Sequence, residues 1–251
     1  MQNLGTGGSA YDATMVNDPT ISTTDVVVGT GSIEISGSLS QYVSIPPFDT
    51  GSDGLSFSFW FKFNSTNPYG NRIFDFGGAS SNLYMGLGSD NDCLIGSMTE
   101  SYMFPASCNL NVNDNLWRHF AWTLDALTNG WSLYVNGVFT KLDAAAEYPT
   151  PQSQSPNYLG RSNSALVPYL TGAIDEFYMF QYTLSASEIQ RLYAKGSKST
   201  LCGPILFCLL SDKLLSFSML VTPHSRADIF LMPVCCFVQA DRPEVPPPQV
   251  R

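Results

Sequence analysis

Two carboxylates stand side by side in Ile174-Asp175-Glu176-Phe177, and a pair of acids is what glycoside hydrolysis runs on. Retaining cleavage places its two carboxyl groups about 5–5.5 Å apart. Read as a strand, however, adjacent residues point to opposite faces, so Asp175 and Glu176 make a poor pair. Asp143 and Glu147 fall in an Ala-rich loop. Nucleophilic catalysis fares no better, since His119 is the only histidine in residues 1–196 and no serine there sits in a Gly-x-Ser-x-Gly elbow. The reading is a protein that is not an enzyme, with a glycoside hydrolase-like activity as the alternative.

Binding chemistry is better represented. Trp60, His119 and Tyr134, with Arg118 beside them, fall on one face of the strands that carry them. Aromatic faces stack on sugar rings and polar neighbours fix hydroxyls, so these four are the candidate ligand-binding residues. The competing reading makes Trp60 a side chain covered by loops and His119 a satisfied sheet residue. Cys93 and Cys108 flank what reads as one strand–turn–strand unit, and a bridge between them would close a loop of about 15 residues, contributing ~3 kcal/mol in the chain-entropy model. Two free thiols are the alternative. No Cys-x-x-Cys or Cys/His zinc spacing occurs.

These residues need strands to hold them. Ser56-Phe57-Ser58-Phe59-Trp60-Phe61-Lys62-Phe63 alternates with period two, which predicts a half-buried central strand with four phenylalanines on its core face. Each ring buries roughly 150–250 Å², enough to anchor a two-sheet sandwich. Trp117 to Asp125 alternates likewise, with Phe120, Trp122 and Leu124 on one face. Trp131 to Val135 runs into Asn136-Gly137, a dipeptide suited to the positive φ angles of a type I′ hairpin. Further strands are predicted over 13–16, 32–35, 41–45, 72–76, 83–87, 93–97, 101–104, 138–140, 158–160 and 172–180. One helix is predicted: Ser185-Ala186-Ser187-Glu188 is a capping box, Ile189, Leu192 and Tyr193 follow at helical spacing, and Gly196 is a natural stop. The fold class is all-β, an antiparallel two-sheet jelly-roll sandwich with one short C-terminal helix and then an irregular tail.

The chain of 251 residues carries a net charge of −9, and residues 1–196 hold the acidic excess. Nucleic acid is a poor partner for such a surface, because neutralising phosphates takes Lys and Arg. Pattern is lost abruptly after Gly196, which divides the chain into a domain at 1–196 and a tail at 197–251. The apolar run Leu201–Leu210 is interrupted by Asp212-Lys213, and those charges weigh against membrane association through the tail. Three readings of the tail stand open: a weak anchor, a disordered extension, or translated sequence that is not native coding material. The first residues have neither a basic segment nor an apolar run, so no signal peptide is read there. The chain is then cytosolic, or lacks the start of a longer secreted protein; Asn64-Ser65-Thr66, a glycosylation-type triplet, fits secretion.

Taken in order, Tyr42-Val43-Ser44-Ile45-Pro46, Leu55 to Lys62, Trp117 to Asp125, Trp131 to Gly137, Tyr158-Leu159-Gly160 and Gly172 to Phe177 leading to Leu184-Ser185 resemble the LamG-like jelly-roll family. That family lies within the concanavalin A-like lectin/glucanase superfamily, and the resemblance covers about residues 4–196. It implies a binding or adhesion module recognising a glycan or an extracellular protein, within a larger extracellular or cell-surface protein. A purely structural spacer is a further reading. The Glu-x-Asp-x-x-Glu strand of related glucanases is missing here. The resemblance also implies a structural Ca2+ ligated by Asp175, with Asp12 as a second acid. Calcium takes six to eight oxygens, so carbonyls and waters would complete the shell.

Overall fold

In the computed structural model the described residues are 12–63, 71–78, 82–88, 94–98, 102–107, 112–144, 147–197 and 238–240. Cys93, Cys108, Asn64 and most of the 197–251 tail lie outside them. The first strands are β1 (Thr14–Val16), β2 (Thr20–Ser22), β3 (Ser32–Ile35), β4 (Tyr42–Ile45) and β5 (Phe48–Asp49). β6 (Leu55–Phe63), β7 (Arg72–Phe76), β8 (Leu83–Leu87), β9 (Leu94–Met98) and β10 (Tyr102–Ser107) follow. Then come β11 (Arg118–Leu124), β12 (Trp131–Val135), β13 (Val138–Asp143), β14 (Ser153–Gln154), β15 (Asn157–Leu159) and β16 (Gly172–Phe180). Helix α1 spans Ala186–Ser197, and β17 spans Val238–Ala240.

The strands form two large sheets. One has seven strands in the order β1-β4-β15-β7-β8-β9-β10. The other has eight, in the order β13-β12-β11-β6-β16-β3-β2, with β17 beside β16. All pairings are antiparallel except β16 with β17. This is the jelly-roll sandwich predicted from the alternation of polar and apolar residues.

Phe57, Phe59, Phe61 and Phe63 are all buried between the layers. Phe57 lies 4.7 Å from Phe74 of the opposite sheet, and Phe59 stacks on Phe177 at 5.5 Å. Burying one such ring stabilises the fold by about 1.5–3 kcal/mol, so the stripe on β6 is the sandwich's main anchor. The turn after β12 has φ of 50° at Asn136 and 75° at Gly137, the two positive angles of the expected hairpin.

Strand β16 departs from simple alternation. Its register against β6 shifts between Asp175 and Tyr178, and Glu176 has φ of 51°. This bulge adds one residue to the strand. Ile174, Phe177 and Met179 therefore all reach the inter-sheet core, while Tyr178 and Phe180 join a second cluster on the outer face.

Candidate ligand-binding surface

The outer face of the eight-stranded sheet does not present the platform that the sequence suggests. Helix α1 lies across it, with Ile189, Leu192 and Gly196 buried against Ala121, Tyr178, Phe180 and Trp60. Trp60 stacks on Tyr193 of the helix at 5.6 Å and is 6% exposed. His119 is 1% exposed, and its Nε2 is 2.9 Å from the Ser58 hydroxyl. Burial pushes the imidazole pKa down to about 3, so it is held neutral. Tyr134 is half-buried with its ring edge-on to Phe139 at 5.6 Å. Arg118 is clamped by Asp114 through two bonds, Nη1 to Oδ1 at 2.6 Å and Nη2 to Oδ2 at 2.5 Å.

Trp60 and His119 are thus buried beneath the helix and not open to a ligand, whereas Tyr134 and Arg118 stay partly exposed. The two buried rings serve the seat of the helix, because an amphipathic helix must bury its apolar stripe somewhere. The polar members of this face follow the same logic. Ser56 Oγ donates to Tyr182 O and accepts from Leu184 N, fixing the segment that leads into α1.

The two adjacent acids also lie under this helix. The bulge brings Asp175 and Glu176 to the same outer face, where simple alternation would have separated them. Asp175 Oδ2 accepts from the amides of Val27 at 2.9 Å and Val28 at 3.1 Å, tying the β2–β3 loop to β16. Its Oδ1 is buried without a partner, and burial raises the pKa to about 6. Glu176 accepts from the Tyr178 hydroxyl; burial, reinforced by Asp175, raises its pKa to about 7. Lys195 of α1 faces this group, and burial lowers its pKa.

Two N–H donors fill Asp175 Oδ2, which leaves Oδ1 as the carboxylate oxygen open to a cation that takes six to eight oxygens. Among the described residues no group of three or more His, Cys, Asp or Glu side chains could hold a metal ion.

The outer face of the seven-stranded sheet is different. Ser44, Tyr158, Asp75 and Tyr84 lie in one cross-strand row over β4, β15, β7 and β8. Arg72 Cζ lies over the Tyr84 ring at 3.6 Å, and its Nε is 4.0 Å from Asp75 Oδ2. Asp75 Oδ2 accepts from Ser162 Oγ at 2.9 Å and Asn163 N at 3.0 Å, and burial raises its pKa against those bonds. The loop after β15 is thereby pinned to the sheet.

That loop builds a cluster of three tyrosines around an arginine. Gly160 turns the chain with φ of 78°, where a Cβ would meet Ile35 Cδ1 at 2.7 Å. Its carbonyl accepts from Leu170 N at 2.9 Å, so both ends of the 161–169 segment meet. Arg161 then sits 4.8 Å from the Tyr42 ring, 4.5 Å from Tyr158 and 5.9 Å from Tyr169. Tyr42 meets Tyr158 edge-on at 5.3 Å. All four side chains are partly exposed. Among the described residues, neither the guanidinium nor the three phenol hydroxyls have a hydrogen-bond partner. A half-exposed set of donors and aromatic edges without protein partners is suited to a polar ligand.

Sequence reasoning missed this cluster. A signal existed in Tyr42-Val43-Ser44-Ile45 and Asn157-Tyr158-Leu159, whose alternation puts both tyrosines outward. That β4 and β15 are neighbours is a fact of topology, which alternation does not carry.

The Laminin_G_3 family model, described as Concanavalin A-like lectin/glucanases superfamily, matches residues 36–190. No curated protein matches the chain. Among solved structures, it is similar to domain 4 of AbnA, a GH43 extracellular arabinanase from Geobacillus stearothermophilus, in complex with arabinotriose. The TM-score is 0.58 at 17% identity, covering 76% of this chain and 93% of that domain. It is also similar to the receptor binding domain of botulinum neurotoxin mosaic serotype C/D, with a TM-score of 0.55 at 15% identity, covering 77% of this chain and 49% of the toxin chain. The binding domain of botulinum neurotoxin DC in complex with SialylT has a TM-score of 0.53 at 17% identity, covering 74% and 47%. This chain spans about half the length of those toxin chains. Likeness at such identities shows the fold alone.

Proposed function

The chain belongs to the Concanavalin A-like lectin/glucanases superfamily, and from that premise we propose that it is a non-catalytic binding module of an extracellular protein, recognising a glycan on the outer face of its seven-stranded sheet. The observation that carries this reading is the Tyr42, Tyr158, Tyr169 and Arg161 cluster, partly exposed and without internal hydrogen bonds among the described residues. The complexes of its structural neighbours with arabinotriose and SialylT support a sugar as ligand. The extracellular arabinanase supports the location. Among the described residues no helix is long and apolar enough to cross a membrane.

A non-catalytic role is supported by the acids themselves. Asp175 and Glu176 are buried under α1, and Asp75 is 1% exposed and clamped by the loop it anchors. A protein ligand is the second reading, favoured by exposed apolar Val138, Phe139 and Leu142 on edge strand β13.

An oligosaccharide array tests the first reading with the wild-type chain and the Tyr158→Ala variant. Saturable binding to at least one oligosaccharide is expected, weakened roughly tenfold by the substitution, a loss of about 1.4 kcal/mol. A blank array for a folded protein would remove the glycan reading and leave the protein ligand or a spacer role. Product release from any array sugar would overturn the non-catalytic reading.

A further inference from the structure

We infer that the ligand of this surface carries a carboxylate, placing it among the uronic acid sugars. The inference rests on the glycan reading above and deepens it.

Arg161 brings a positive charge to this surface of an acidic protein. The chain has a net charge of −9, and several of its other cations sit beside acids; Lys195 faces Glu176, although its Nζ makes no hydrogen bond. Lys62 pairs with Asp25, Arg118 with Asp114, and Arg72 lies beside Asp75. Arg161 faces no carboxylate among the described residues; its neighbours are the rings of Tyr42, Tyr158 and Tyr169. Cation–π contact with those rings holds the guanidinium plane in place without consuming its N–H donors. The five donors form a rigid fork that matches a carboxylate with two parallel bonds.

The surroundings favour an anion over a cation or a neutral group. Asp75 is the nearest acid in the cross-strand row, one strand from Tyr158, and its carboxylate is turned to Ser162 and Asn163. The three phenol hydroxyls beside the guanidinium supply donors for the remaining carboxylate lone pairs and for ring hydroxyls. Positioning is set by the backbone, since Gly160 and the Gly160–Leu170 bond fix the loop that carries Arg161 and Tyr169.

The experiment uses matched sugars that differ only at C6. Trimers of galacturonate, glucuronate and mannuronate are titrated calorimetrically beside their carboxyl-reduced counterparts, against the full chain and its Arg161→Gln and Arg161→Lys variants. At least one uronate trimer is expected to bind tenfold or more tightly than its reduced partner. Arg161→Gln should bring the pair to within about twofold, weakening the uronate far more than the reduced sugar. Arg161→Lys, which keeps the charge and loses the fork, should recover only part of the preference. Melting curves should show all three proteins folded with similar midpoints. Equal binding of charged and reduced sugars, unaffected by Arg161→Gln, would overturn this inference and leave the glycan module standing. Failure of every sugar here and on the array would overturn both. A triglutamate peptide that binds as tightly as the best uronate would also overturn it, because recognition would then be of an acidic peptide.

Discussion

Glu176 holds an unusual position for a charged residue, since its backbone is left-handed and its side chain is buried beside Asp175 under a helix. Its pKa of about 7, against an ordinary 4.5, makes it a stability switch. A folded-state pKa raised above the unfolded value gives stability that is complete below pH 4.5 and lost as pH climbs through about 7. Asp175 acts in the same direction, losing its contribution between 3.8 and about 6. His119 acts oppositely: its depressed pKa gives stability that is present above 6.5 and is lost as pH falls toward 3. Glu176→Gln keeps the shape and an acceptor for Tyr178, so urea unfolding at pH 8 should show the variant more stable than wild type by on the order of 2–3 kcal/mol. At pH 4 the two should unfold alike. An equal gain at both pH values would mean relief of backbone or packing strain, not of charge. For calcium the expected result is no change in melting midpoint between millimolar calcium and a chelator, because Val27 and Val28 already fill Asp175 Oδ2 and leave the carboxylate only Oδ1 to offer. A rise in calcium would place the ion there by mass action.

At the scale of elements, helix α1 was readable and its docking was not. Ser185 Oγ accepts from Glu188 N at 3.3 Å while Ser185 N donates to Glu188 Oε2 at 2.7 Å, the reciprocal cap foreseen in the local sequence. Gly196, however, does not end the helix, which runs on to Ser197. Its role is close approach: a Cβ there would lie 2.5 Å from the Trp60 indole and 2.6 Å from Val27. Helix propensity alone favours alanine over glycine by about 1 kcal/mol. In this position the clash should reverse that sign, and Gly196→Ala should destabilise by about 1–3 kcal/mol through overpacking. Ser185→Ala should cost about 0.5–2 kcal/mol through the lost cap. Thermal melts of both variants check the pair. A stabilised Gly196→Ala would mean that the helix is not seated on Trp60.

For the whole molecule, period-two patterning sufficed to identify a sandwich, because burial of one face per strand is written locally into each segment. Phe57 to Phe63 shows this directly. Which strands lie side by side, and which face stays open, depends on contacts distant in sequence. The ligand platform was therefore expected around Trp60, on the sheet that the helix covers, and the tyrosine–arginine cluster on the other sheet went unread. The bulge in β16 was equally hidden, since a one-residue insertion that turns Glu176 to the side of Asp175 leaves no signature in composition.

The four tryptophans make this division observable by light. Trp60, Trp122 and Trp131 belong to strands of the eight-stranded sheet, and Trp117 immediately precedes β11 of the same sheet. The tyrosine–arginine surface contains none. Intrinsic emission excited at the red edge of the indole band therefore reports on the inter-sheet core and the helix seat, not on the tyrosine–arginine surface. Lifting the helix off Trp60 would alter its spectrum, whereas a sugar settling on Arg161 would leave it largely dark. A single cuvette can thus separate loosening of the scaffold from occupancy of the opposite surface.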